Sequence, residues 1–200
     1  FNGSATIDFP VAGTYQVEIS GIFPRIYFNN GGDKEKLLTI EQWGDQFWSS
    51  MSRSFMGCSN MTINATDNPD LSAVSDMSFM FQNAASMNSA IGNWDVSNIT
   101  NMRNLFNSAA SFDQDISSWD VSSVTTMISM FTGASSFNQD ISSWDVSNVT
   151  SMRAMFFSAQ NFQGDLSAWD ISSVNYMSDM LGQTAITTYT YDKILLSWSQ

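Results

Sequence analysis

Histidine is absent from this chain, and cysteine occurs once, as Cys58. Without histidine, the commonest general base and a common metal ligand are missing. A single cysteine rules out an internal disulfide framework, so stability has to come from packing. Lysine and arginine number seven against 19 aspartates and glutamates, a formal charge of −12. Over the chain as a whole a densely charged phosphate backbone is repelled rather than neutralised, so nucleic acid is a poor partner and none is expected. Its apolar runs last only a few residues and are broken by Asp, Ser and Asn. None approaches the roughly 20 residues a membrane helix needs, so no membrane insertion is expected. The opening FNGSATIDFP lacks a charged start followed by an apolar run, so no signal peptide is read there.

What is present is a repeat. The 43 % of hydrophobic residues are enough for a core, and they recur in columns 25 residues apart. Trp94, Trp119, Trp144 and Trp169 form one column. Met102, Met127, Met152 and Met177 form a second, and Phe81, Phe106, Phe131, Phe156 and Leu181 a third. An earlier copy carries Leu71, Val74, Met77 and Met80 with Pro69 in place of the tryptophan. A still earlier one, MSRSFMGCSNM, fits with a step of 26, which sets Cys58 in the column of Ala84, Ala109, Ala134 and Ala159. Cys58 therefore reads as a small core residue rather than a nucleophile.

Within a copy, Val149, Met152, Met155, Phe156 and Ala159 are separated by 3, 3, 1 and 3, the spacing of one helix face. Trp144 and Val146 alternate as on a strand. The expected fold is an α/β repeat solenoid: an LRR-like right-handed stack of about five 25-residue coils, each a short parallel strand plus a short helix. Residues 1–44, where Tyr15, Val17 and Ile19 alternate, read as an N-terminal β cap. The repeats occupy 45–182, divided at about 45–68, 69–93, 94–118, 119–143, 144–168 and 169–182. Residues 183–200 read as a C-terminal cap helix with Ile194, Leu195 and Trp198 on its apolar face. One coil alone buries too little to offset its chain entropy, so the copies have to stack.

The motif MF-x2-A-x2-FNQDIS-x-WDVSNVT-x-M, nearly whole from Met130 to Met152, resembles the BspA-like leucine-rich-repeat surface proteins, also called the DUF285 or mycoplasma lipoprotein repeat family. The leader SGIFPRIYFNNGGDKEKLLTIEQWGDQFW and the closing YDKILLSWSQ are similar to the same family. The resemblance implies a secreted or surface-anchored protein whose repeats bind matrix, cells or other macromolecules without enzymatic activity. It supplies no family-defined binding residues.

Catalysis needs unlike groups converging at one place, whereas these columns repeat like groups, so the chain reads as no enzyme with no cofactor. The aspartates after the tryptophans, Asp95, Asp120, Asp145 and Asp170, admit two readings. Each carboxylate accepts N–H groups of its own turn, or the row holds Ca²⁺. Trp94, Trp119, Trp144 and Trp169 with Phe106, Phe131 and Phe156 are read as the structural core. Exposure of the tryptophans would instead make a stacking platform for glycan. Variation between copies concentrates at Arg103, Ile128, Arg153 and Ser178, the candidate interface, and at Asn107, Thr132, Phe157 and Gln183. The function expected is an extracellular or cell-surface binding or adhesion module for a protein or matrix ligand. The alternatives are a glycan-binding module and a structural spacer, and the chain is expected as a monomer or as part of a larger surface protein.

Overall fold

The computed structural model describes residues 9–200; the first eight residues of the expected N-terminal cap lie outside them. The α/β solenoid of strand-and-helix coils is not the architecture. Among the described residues there are one α-helix and two two-residue parallel strands. Strand β1 (Thr39–Ile40) pairs with β2 (Thr62–Ile63). Helix α1 (Thr188–Trp198) follows the last repeat. The alternating Tyr15, Val17 and Ile19 carry no strand, and their side chains are exposed.

The repeats fold instead as layers made of consecutive turns. In residues 102–112, three-residue turns follow one another: the N–H of Leu105 donates to the carbonyl of Met102, Asn107 to Asn104, Ala109 to Phe106 and Phe112 to Ala109. The intervening N–H groups point along the stack. Met102 donates to Thr126, Asn104 to Ile128, Phe106 to Met130 and Ser108 to Thr132, at 2.8–3.1 Å. Donors thus alternate between a carbonyl of their own layer and one of the next, while Arg103 N–H bonds the Asn101 side chain and Ser111 N–H the carbonyl of Ala85 in the layer before, which supplies most of the backbone pairing a helix would otherwise give. Helix propensity offers little resistance, because Ser, Asn and Thr crowd this stretch.

The ribbon of turns requires left-handed backbone at two positions per layer, four residues apart. The pairs are Arg53 and Gly57, Phe79 and Asn83, Asn104 and Ser108, Ser129 and Gly133, Ala154 and Ser158, and Asp179 and Gln183, with φ between 52° and 81°.

The predicted strand around Trp144 and Val146 is also a pair of turns, closed by Trp144 N–H to Ile141 and Val149 N–H to Val146. Parallel bridges lie a few residues later, through Asp76, Asn101, Thr126, Ser151 and Tyr176. Just before them, Thr125 N–H donates to Thr100 and Thr150 N–H to Thr125, both at 2.9 Å.

The core is the sum of the repeating columns. Phe81, Phe106, Phe131 and Phe156 stack with ring centroids 5.5–5.7 Å apart. A second file, Phe112, Phe137 and Phe162, runs beside it at 6.0 Å. All seven rings are fully buried. At the far end, α1 is capped by the Thr187 hydroxyl, which accepts from Thr190 N–H. The helix lays Ile194 on the core, and its Lys193 pairs with Asp165.

Candidate functional site

Stacking at a 25-residue step turns each sequence column into a row on the surface or in the core. The tryptophans fall inside. Trp94, Trp119, Trp144 and Trp169 are only 3–4 % exposed. The indole N–H groups of Trp119, Trp144 and Trp169 donate to Ile91, Ile116 and Ile141 one layer back, each at 3.1 Å. These rings are structural and present no open platform to a sugar. Cys58 is fully buried, and burial pushes its thiol up to about 12, far from a nucleophile's range.

Each aspartate after a tryptophan sits in its own Asx turn. Oδ1 of Asp95, Asp120 and Asp145 accepts both the hydroxyl and the N–H of the serine two residues on, at 2.6 Å and 3.0–3.1 Å. Asp170 accepts the N–H of Ser172 at 2.9 Å. Those bonds hold all four carboxyls below the usual range, while Asp95 and Asp145 push Asp120 slightly the other way. The mutual repulsion of the row is therefore offset turn by turn. Among the described residues no three Asp, Glu, Cys or His side chains converge where they could hold a metal ion. A second row, Asp115, Asp140 and Asp165, uses the N–H groups of Ser117, Ser142 and Ser167 in the same way. Asp165 also meets Lys193 at the rim of a shallow polar groove of about 550 Å³, and lysine and serine together lower its carboxyl to about 2.

The candidate interface residues come together. Arg103, Ile128, Arg153 and Ser178 occupy one column next to the parallel bridges. The layers behind that column are joined by Phe79 N–H to Arg103, Asn104 to Ile128, Ser129 to Arg153 and Ala154 to Ser178, all at 2.9 Å. Arg103, Arg153 and Ser178 are exposed, and Ile128 is half-buried.

Two further arginines join the same face, Arg53 of the earliest copy and Arg25 of the segment before the repeats, and sequence reading missed them. Arg53 and Arg103 both lie over the ring of Phe79, 4.9 and 5.8 Å from its centroid. Arg25 lies over Tyr27 at 4.3 Å and donates to the carbonyl of Ser52, whose hydroxyl bonds that of Ser78 at the head of the column. The available signal was the 26-residue step from Met51 to Met77, which sets Arg53 over Phe79, next to the Ser78 that heads the column of Arg103.

Fold and face together define a non-helical repeat protein: layers of turns 25 residues long, bearing arginine on one side. Residues 49–146 and again 117–193 match the family described as Mycoplasma protein of unknown function, DUF285. The chain belongs to that family. No curated protein and no solved structure matches it. Among the described residues, no helix is long and apolar enough to cross a membrane.

Proposed function

We propose that the chain is a non-catalytic binding or adhesion module, working at the cell surface or outside the cell on a protein or matrix ligand. One observation carries the reading. Among the positions that vary between otherwise near-identical layers, Arg103, Ile128, Arg153 and Ser178 share one column whose members are mostly exposed. Residues that only hold a stack together repeat, as the buried Trp, Met and Phe columns do. Positions freed from that constraint are where recognition can be written, and regular repeats present them as an extended surface. The resemblance of the motif spanning Met130 to Met152 to the BspA-like surface proteins supports the same compartment and role.

The test is adhesion of the purified chain to immobilised matrix components and cells. Saturable binding, competed by soluble chain, is expected. Retention no greater than that of an inert acidic protein of equal charge would overturn the reading.

A further inference from the structure

The chain has 19 acidic residues and seven basic ones. Every cation in it ought to find a carboxylate with ease. The three lysines do: Lys34 pairs with Glu35, Lys36 with Asp33 and Lys193 with Asp165. Among the described residues none of the four arginines is in an ion pair. All four lie on the face just described, against Tyr27, Phe79 or the exposed column. Two acids are nearby. Asp76 spends Oδ1 on the N–H of Ser78 at 2.8 Å, and Asp179 lies at the last layer. Guanidinium groups kept off available carboxylates, on a face with aromatic rings beneath them, are poised for an anion from outside.

The spacing says more. Arg103 and Arg153 stand two layers apart. At about 4.8 Å per parallel layer that is close to 10 Å along the stack, with the half-buried Ile128 between them. The carbonyls of Arg103, Ile128, Arg153 and Ser178 already accept N–H groups of the preceding layer, and Arg103 N–H is held by the Asn101 side chain, so an extended peptide laid along the stack would find no complete ladder to join. Side chains remain, namely the two guanidiniums, the Ser178 hydroxyl and the exposed phenols of Tyr27 and Tyr176. Those suit a polymer that brings hydroxyls, ring faces and one anionic group per disaccharide, a repeat of the same order as two layers.

Resting on the binding role proposed above, we infer that the ligand of this face is an acidic polysaccharide lying along the stack, its successive anionic groups held by Arg103 and Arg153.

The experiment is calorimetric titration with three probes: an octasaccharide carrying one carboxylate per disaccharide, the same octasaccharide with its carboxyls reduced to alcohols, and a poly-glutamate peptide of equal charge. The wild-type chain is expected to bind the first, with affinity falling as salt rises, and to ignore the second. Arg103→Gln with Arg153→Gln should weaken binding at least tenfold at unchanged melting temperature, while Lys36→Gln, away from the column, should leave it intact. No binding of the carboxylated sugar, binding untouched by the double substitution, or equal binding of poly-glutamate would each overturn the inference. The adhesion assay separates this failure from that of the broader role. If R103Q/R153Q adheres as well as wild type, the polysaccharide falls and the binding module stands; if the wild type adheres to nothing, both fall.

Discussion

Phe79 and Ala154 hold left-handed backbone, with φ of 60° and 52°, where residues bearing a Cβ are rare. Each such residue carries a conformational cost of about 1–2 kcal/mol. The turn ribbon offsets it by setting the neighbouring N–H groups on carbonyls of the next layer. Gly133, at φ 66°, isolates the effect, because a Cβ there would meet the Ser108 hydroxyl at an ordinary 3.5 Å. Space is available; only the backbone objects. Gly133→Asn, which copies Asn83 in the same column, is expected to change stability by less than about 0.5 kcal/mol. Gly133→Val, branched at Cβ, should lose about 2 kcal/mol. Urea denaturation midpoints read both, and equal losses would show that crowding rather than φ governs the site. Little of this was legible beforehand. The left-handed positions of the ribbon are filled by Phe, Ala, Ser, Asn, Asp, Gln and Arg, with glycine only at Gly57 and Gly133, so no glycine column announced them.

Among the elements, the ribbon of turns shows why one part of the sequence reading held and another did not. The columns themselves were plain in the sequence: every Trp, Met and Phe assigned to the core of the central layers is buried. Their spacing of 3, 3, 1 and 3 also fits one face of a helix. Consecutive turns closing every three residues bury the same positions, so the side-chain pattern cannot tell the two apart. The decision belongs to hydrogen bonds reaching 24 residues ahead, which no local window contains. The terminal helix was legible because Thr187 caps it locally; Thr187→Ala should cost about 1 kcal/mol and loosen α1 first.

The Asx turns carry a pH signature of their own. Their aspartates are held below the ordinary carboxylate pKa of about 4, and Asp165 at about 2. A lowered folded-state pKa means stability that is complete above the unfolded value and lost as pH falls through the folded one. The denaturation midpoint is therefore expected to be level from pH 5 to 8 and to drop between pH 4 and 2. Replacing Ser97, Ser122 and Ser147 together by alanine should make that drop shallower, and an unchanged slope would remove the turns as its cause.

At the scale of the whole molecule, the 25-residue period is a structural quantum. Phe106 N–H donates to Met130, and Phe131 N–H donates to Met155 in the same geometry. If residues 119–143 are removed, Phe106 faces Met155 instead of Met130, Trp144 takes the place of Trp119, and Arg153 that of Ile128. Every buried column then closes over the gap with a chemically similar side chain. The shortened chain should keep a single cooperative thermal transition at a lower midpoint, since stacks of this kind lose one unit and one interface. Removing Asn104 alone has the opposite consequence. It exchanges the N–H groups that bond within the layer for those that bond between layers, and turns Leu105 and Phe106 away from their files. That variant, shorter by one residue rather than 25, is expected to lose the cooperative transition. One extra residue already occurs between Met61 and Met77, outside the ribbon, so intolerance should be confined to the turns. A cooperative melt for the Asn104 deletion, or none for the 25-residue deletion, would show that the layers are not the units of this fold.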